Sequence, residues 1–272
     1  MTSADRLIDH YAHGHPIERI EAELVAHGFD LTELQPGDVA GVDEFHLGGR
    51  FATVELLRSF RVGADDEVLD IGSGIGGVAR TIAGATGCRV VGVDLTSVFV
   101  ETASRLSEMV GLSDRTTFAV ADANALQFDD DRFGAATLIH VGMNIDDKAA
   151  LFAEVGRVLA PGGSLHIYDI MRAGDGEVDY PVPWSGDAST SFVEQPDHYV
   201  AALASAGFEV AAPVDRAGLV RDALSAAAAS PPPVNLSHLM GDDWPTMFAN
   251  LRSALAAGIV APTEIVATRP SS

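Results

Sequence analysis

Glycines and an aspartate stand where a chain can bind a nucleotide-like ligand. Gly72, Gly74 and Gly76 form a G-x-G-x-G loop after an apolar run, and Gly77 also completes G-x-G-x-x-G. The glycines alone fit several ligands. Asp70 stands two residues before the loop, where its carboxylate would repel a pyrophosphate but attract an ammonium group. Asp70 therefore favours a cationic ligand.

Two more acidic residues end the next apolar runs. Asp94 closes RVVGVD, where a carboxylate can accept hydrogen bonds from both hydroxyls of a ribose. Asp122, followed by Ala123, ends the third run and could hydrogen-bond an adenine amino group. Each aspartate alone could be a helix cap or a turn residue. With the glycine loop, the three predict a nucleoside-containing cofactor.

Groups suited to proton transfer follow the later strands. His140 ends LIH and titrates near neutrality, so it is either a general base or a hydrogen-bonded pocket histidine. Tyr168 and Asp169 are predicted to close the fifth strand and to point to opposite sides, with Asp169 favoured as a second catalytic residue. No metal site is predicted, because the candidate ligands lack a recognisable spacing; they are His46, His198 and His238 with His140 or Asp169.

An acidic loop after the fifth strand offers two opposite acceptor preferences. Tyr180 and Trp184 could surround a cationic amine, whereas Arg172 could pair with a carboxylate. The sequence does not choose between them.

Strands alternate with helices from Asp66 onward, which predicts a parallel sheet covered on both faces. Apolar periodicity predicts helices over 17–27, 148–159 and 197–206, and IVAPTEIVATR predicts a last strand.

Composition limits the partners. The net charge of −22 disfavours nucleic acids and anionic lipid surfaces. Cys88 is the one cysteine, so it forms no intramolecular disulfide. With no apolar run of about eighteen residues and no secretory signal pattern, a cytoplasmic protein without a membrane partner is expected.

The ordered segments resemble those of class I S-adenosylmethionine-dependent methyltransferases, over about residues 60 to 212. They are VLDIGSGIGG, VVGVDLT, VADANALQF, LIHVGMNI, RVLAPGGSLHIYDI and AGF. Within the class they are most similar to small-molecule enzymes of the sarcosine/dimethylglycine and ubiquinone-pathway type. The resemblance implies a seven-stranded Rossmann-like α/β fold with strand order 3-2-1-4-5-7-6 and an antiparallel last strand. It also implies methyl transfer from S-adenosylmethionine to a small-molecule N, O or activated C acceptor.

The resemblance also implies site residues and a domain plan. Cofactor contacts are expected from Asp70, Gly72, Ser73, Gly74, Gly76, Asp94, Leu95, Asp122 and Ala123, with His140 near the reactive methyl. Residues 1–59 are expected to form a helical lid that includes Phe45, although VDEFHLGGRFAT could also be an ordinary turn before a helix. Residues 60–272 would form the core, with substrate-side insertions at about 172–195 and 214–257.

Two other functions stay open on sequence grounds. One is an NAD(P)-dependent oxidoreductase, which Asp70 disfavours because its charge conflicts with a pyrophosphate. The other is a cofactor-binding subunit without catalysis.

Overall fold

The computed structural model describes residues 16–235 and 243–271. Within these ranges there are eight α-helices: α1 Pro16–Ala26, α2 Gly49–Leu56, α3 Gly77–Thr86, α4 Ser97–Met109, α5 Lys148–Val158, α6 Pro196–Ser205, α7 Ala217–Ala229 and α8 Trp244–Ala256. The strands are β1 Glu67–Ile71, β2 Arg89–Asp94, β3 Thr116–Val120, β4 Phe133–Ile139, β5 Leu159–Arg172, β6 Glu209–Val210, β7 Val214–Asp215 and β8 Val260–Thr268. Short 3-10 turns lie at Leu57–Ser59, Gly142–Asn144 and Ala188–Thr190.

The described residues fall into two units. The first consists of residues 16–122 and 218–235, and the second of residues 123–217 and 243–271. His238, one of the candidate metal ligands, lies outside the described residues.

The first unit is built on three parallel strands. β2 pairs with β1 and with β3, in a register that sets Asp70 opposite Gly92 and Asp94 opposite Val120. Val68 and Leu69 are buried in β1, as a near-continuous apolar run in a covered parallel strand predicts. Helix α3 is buried on all sides from Gly77 to Ala83, whereas α4 buries one stripe that includes Phe99, Ala103 and Leu106.

The second unit combines parallel and antiparallel pairing. β4 runs parallel to β5, and β8 runs antiparallel to β5, β6 and β7. Helix α5 buries Leu151 and Val155, and its Phe152 ring lies 6.0 Å from the ring of Tyr199 in α6. These contacts form an apolar core beside the carboxyl ends of β4 and β5.

The strand order is 3-2-1-4-5-8-6, which confirms the predicted Rossmann-like methyltransferase fold. The one difference is β7, a two-residue strand that pairs with Glu264 and Thr263 and raises the number of strands to eight. The antiparallel strand expected at the carboxyl end is therefore β8.

The fifth strand continues beyond its predicted end. Tyr168 and Asp169 do not close it, because Ile170, Met171 and Arg172 still pair with β8. The cause is that β8 supplies hydrogen-bond partners after β4 has ended at Ile139.

The predicted helices are confirmed to within one residue at each end. None of the helices in the described ranges is both long and apolar enough to cross a bilayer.

Candidate functional site

The glycine loop of the first unit has a left-handed backbone at every second position. Gly72, Gly74 and Gly76 have φ values of 68°, 52° and 86°. Glycine adopts these angles without the steric penalty that a Cβ would bring. The loop is anchored at Ser73, whose N–H donates to Val93 O at 2.9 Å and whose O accepts from Gly76 N at 2.8 Å. The predicted loop is therefore preformed.

Asp94 is tied directly to this loop. Its Oδ2 accepts a hydrogen bond from Gly74 N at 2.9 Å, and its Oδ1 accepts one from Thr96 N at 2.8 Å. Burial raises the pKa of Asp94, although these backbone donors act against that rise. The Thr96 side chain and the Leu95 backbone are further donors to this carboxylate, so the glycine loop and the turn after β2 fix it in place.

The other predicted cofactor residues of this unit occupy different environments. Asp70 is buried in β1, whereas Asp122 is exposed two residues after β3. Leu95 is half-buried directly after Asp94. Phe45 lies beside the loop, since a Cβ built on Gly74 would be 3.8 Å from Phe45 Cδ2. Its ring also meets Phe99 edge-on at 5.7 Å.

Sequence reasoning missed a buried ionic cluster under this loop. Arg80 of α3 donates to Asp43 Oδ2 at 2.9 Å and to Ile75 O, within the glycine loop, at 2.8 Å. Burial raises the pKa of Asp43 to about 6, against the lowering effect of the Arg80 charge. The backbone there is close-packed, because a Cβ on Gly77 would lie 2.1 Å from Asp43 O. An arginine inside the apolar helix VARTIAGA was the available signal.

Glu44 also links the segment that contains Asp43 to two helices. It accepts hydrogen bonds from Thr81 Oγ1 of α3 at 2.8 Å and from Thr53 Oγ1 of α2. His46 Nε2 lies 3.0 Å from Thr53 Oγ1, and burial lowers the pKa of this imidazole to about 4. Phe45 therefore stands between Glu44, which bonds to α2 and α3, and His46, which contacts α2.

His140 begins the turn after β4 in the second unit. Its φ is 56°, a left-handed value that costs a non-glycine residue about 1–3 kcal/mol. Its N–H donates to Tyr168 O at 2.7 Å, and its ring lies 5.2 Å from the Tyr168 ring. The residue is half-buried, and Nε2 of its ring has almost no exposed surface. Strain of this kind clusters at functional sites.

Asp169 lies beside that turn and has no exposed surface. Its Oδ1 accepts from Val141 N at 2.9 Å and its Oδ2 from Tyr199 Oη at 3.0 Å. Burial raises the pKa of Asp169 to about 7, while Tyr199 and the nearby Lys148 lower it. The catalytic role of Asp169 stays a prediction, and these contacts favour a positioning role. Sequence reasoning did not find Tyr199.

The remaining candidates of the second unit have local partners. Ala123 is buried directly after Asp122. Trp184 is 1% exposed and its Nε1 donates to Ser191 Oγ at 2.9 Å, which places the indole in the core instead of around an amine. Arg172 Nη1 donates to Gly176 O at 2.6 Å, and His198 Nδ1 lies 2.6 Å from Glu194 Oε2. Within residues 16–235 and 243–271, no group of three or more His, Cys, Asp or Glu side chains is arranged to hold a metal.

Comparison with known proteins gives one family. Residues 69–167 match the family described as methyltransferase domain. The chain is 32% identical over 176 residues to methyltransferase GfsG of Streptomyces halstedii, covering 64% of this chain and 63% of that protein. It is 31% identical over 156 residues to a probable chloroplastic tocopherol O-methyltransferase of Oryza sativa subsp. japonica, covering 55% of this chain and 42% of that protein. The chain thus spans less than two thirds of the length of these relatives.

A solved structure extends the likeness over nearly the whole fold. It is the geranyl diphosphate C-methyltransferase of Streptomyces coelicolor A3(2), in complex with Mg²⁺, geranyl-S-thiolodiphosphate and S-adenosyl-L-homocysteine. The TM-score is 0.70 at 17% identity, covering 98% of this chain and 97% of that one.

The fold and the glycine loop define a Rossmann-like cofactor-binding protein. Residues 69–167 match a methyltransferase domain, which agrees with the resemblance to class I S-adenosylmethionine-dependent methyltransferases.

Proposed function

We propose that the protein transfers a methyl group from S-adenosylmethionine to a small-molecule acceptor and releases S-adenosylhomocysteine. The observation that carries the proposal is the bond from Gly74 N to Asp94 Oδ2, which joins a left-handed glycine loop to a ribose-binding carboxylate. S-adenosylmethionine supplies an electrophilic methyl on a sulfonium, and the chain's residues hold and orient it.

The glycine loop fits that cofactor. Ser73 Oγ is buried and has no hydrogen-bond partner among the described residues, so it can bond to a ligand. A Cβ on Gly74 would meet nothing nearer than the Phe45 ring at 3.8 Å, which leaves room beside the loop. Asp94 offers the acceptors that ribose hydroxyls need, and Asp70 offers a negative charge for the ammonium group.

Further cofactor contacts are proposed from the likeness to the class. They are Gly72, Gly76 and Phe45 at the loop, Leu95 after β2, and Asp122 with Ala123 after β3. Asp122 is exposed, so an adenine amino group can approach its carboxylate.

His140 is proposed to act on the acceptor. In-line transfer needs the acceptor atom held on the axis opposite the leaving sulfur, so orientation provides much of the rate. A base is needed only when the acceptor loses a proton. The imidazole of His140, at the start of the turn after β4, is the group proposed to accept that proton from a hydroxyl. The N, O and activated C acceptors all stay candidates, since the similar proteins include both an O-methyltransferase and a C-methyltransferase.

The proposal extends to partners and location. The net charge of −22 argues against nucleic acids as partners and supports a cytoplasmic protein that acts on free small molecules.

Calorimetric titration with S-adenosylmethionine and S-adenosylhomocysteine tests the proposal. Asp94→Ala should weaken both about tenfold to a hundredfold, because a hydrogen bond to a charged group contributes about 1.5–3 kcal/mol. Glu101→Ala removes an exposed acid from α4 of the same unit and should change neither affinity. Thermal unfolding of each variant reports whether it is folded.

A panel of phenols, alcohols, amines and alkenes then identifies the acceptor by release of S-adenosylhomocysteine. Binding of nicotinamide dinucleotides in place of both sulfur ligands would overturn the proposal. Tight S-adenosylmethionine binding with no turnover on any acceptor would favour the cofactor-binding subunit.

A further inference from the structure

The turn after β4 is attached to β5 through consecutive backbone groups. The parallel ladder between these strands reaches Ile139, which pairs with Tyr168. His140 then leaves the strand conformation, but its N–H still donates to Tyr168 O at 2.7 Å. At Val141 the N–H reaches the side chain of Asp169 instead, at 2.9 Å from Oδ1. The Asp169 carboxylate therefore continues the attachment where the main-chain ladder stops.

Gly142 shows how closely this turn fits the carboxylate. Its backbone N–H is a further donor to Asp169. A Cβ at Gly142 would lie 2.4 Å from Asp169 Oδ2 and 2.8 Å from Tyr199 Oη. Any larger residue would displace the acid or the turn.

Tyr199 binds the second oxygen of the carboxylate. Its hydroxyl donates to Asp169 Oδ2 at 3.0 Å, and neither side chain has exposed surface. Lys148 Nζ lies 5.1 Å from the centre of the Tyr199 ring and donates to Ile145 O at 2.6 Å and to Phe192 O at 3.1 Å. The carboxylate is thus fixed by donors from the turn and from α6.

We infer that Asp169 and Tyr199 are positioning residues, which hold His140 in its left-handed conformation and so set the direction of its imidazole. A strained residue persists only where its surroundings over-determine it, and three consecutive N–H groups bound to β5 provide that constraint. Asp169 does not exchange protons with the acceptor, since both of its oxygens are engaged and buried. This inference rests on the proposed methyl transfer for its effect on catalysis, but not for its effect on His140.

Tyr199→Phe tests the inference, because it keeps the ring and removes the hydroxyl that donates to Asp169. Ser205→Ala is the matched control: it removes a hydroxyl from the same helix that donates only to Ala201 O, at 2.8 Å. The main readout is the NMR signal and pH titration of the His140 imidazole, assigned with His140→Gln. We expect Tyr199→Phe to move both and Ser205→Ala to move neither.

Kinetics give a second readout. We expect Tyr199→Phe to lower kcat about tenfold to a hundredfold, as a displaced reacting group does, with little change in the KM for S-adenosylmethionine. Asp169→Asn keeps an oxygen for Val141 N and should shift the His140 signal less than Asp169→Leu. If Tyr199→Phe does not fold, this Asn and Leu pair supplies the same comparison.

The outcomes separate the inference from the proposed function. An unchanged His140 signal and titration in folded Tyr199→Phe, or equal shifts in the Asn and Leu variants, would overturn the inference. A shifted His140 signal in a protein that binds neither sulfur ligand would support the positioning role and reject the methyl transfer.

Discussion

The two units bury their carboxylates in different ways. In the first, Asp43 is 2.9 Å from a buried guanidinium, that of Arg80, which also holds the glycine loop through Ile75 O. In the second, Asp169 is held by a tyrosine hydroxyl and backbone N–H groups, and the charge of Lys148 lowers its pKa without a direct ion pair among the described contacts. An ion pair favours the charged acid far more than neutral donors do. The carboxylate beside the glycine loop, with its cation partner, has a pKa raised to about 6, and the carboxylate beside the His140 turn, held by neutral donors, has a pKa raised to about 7.

The two units also differ in which residues carry their left-handed backbone conformations. The first unit places its left-handed conformations on Gly72, Gly74 and Gly76, where they carry little penalty. The second places one on His140, where a neighbouring group must maintain it. A left-handed conformation at a glycine therefore needs no contact to offset strain, whereas the one at His140 depends on the contacts of Asp169.

Loss of the buried cation should have the largest effect. Arg80→Leu leaves Asp43 buried without its charge partner, which should lower the free energy of unfolding by about 3–5 kcal/mol. Arg61→Leu changes an exposed arginine of the same unit and should have almost no effect. Urea unfolding of both variants measures the difference. Equal losses would show that the Asp43–Arg80 pair does not support the first unit.

The pH dependence of stability should report the raised pKa of Asp169 in the second unit. A folded-state pKa of about 7 means that the folded protein holds a proton on Asp169 that the unfolded chain releases near pH 4. Stability from this group is complete below about pH 4 and is lost as the pH rises through 7. Between pH 5 and 8 we expect a loss of about 2–3 kcal/mol, which Asp169→Asn should remove. Urea unfolding at both pH values measures it, and identical pH slopes for wild type and variant would contradict the raised pKa.

Adding one methyl group should destabilise the protein at Gly142, in the tight turn, but not at Gly84, which is loosely packed. Gly142→Ala places a Cβ 2.4 Å from Asp169 Oδ2 and should destabilise the protein by about 1–3 kcal/mol. Gly84→Ala is the control, since its Cβ would meet nothing within 4 Å in the last turn of α3. That change should stabilise by about 0.4–1 kcal/mol. Thermal unfolding reports both, and a neutral Gly142→Ala would mean that the turn can relax.

The smallest effect is expected from loss of the hydrogen bond between Thr81 and Glu44 in the first unit. Thr81→Val removes a hydrogen bond to Glu44 and should cost about 1 kcal/mol, with a modest loss of affinity for S-adenosylhomocysteine as Phe45 loosens. Thr102→Val removes a buried hydroxyl that donates only within α4, to Val98 O at 2.7 Å. Calorimetry should find weaker binding for the first variant alone. If both variants bind S-adenosylhomocysteine more weakly, the loss of affinity comes from lower stability and not from the position of Phe45.

Local patterns made the first unit's binding loop predictable from sequence. Gly74 and Asp94 follow neighbouring parallel strands, so their approach results from strand order and register. The pairs Asp43–Arg80 and Asp169–Tyr199 were not predictable, because 37 and 30 residues separate their members and no spacing rule links them. The extent of β5 also depended on a partner, β8, that is distant in sequence. These two pairs and the extent of β5 depend on tertiary contacts, which sequence periodicity does not reveal.

Cys88 makes the natural chain suitable for site-directed labelling. It is the one cysteine in the sequence, it is buried, and burial raises the pKa of its thiol. Because thiolates are the species that react with maleimides, Cys88 should stay unmodified while the fold is intact. A cysteine introduced at exposed Phe51 or Val214 would then carry a spin label or fluorophore alone, without removal of any native thiol. One such label in each unit would report their separation in solution as cofactor is added.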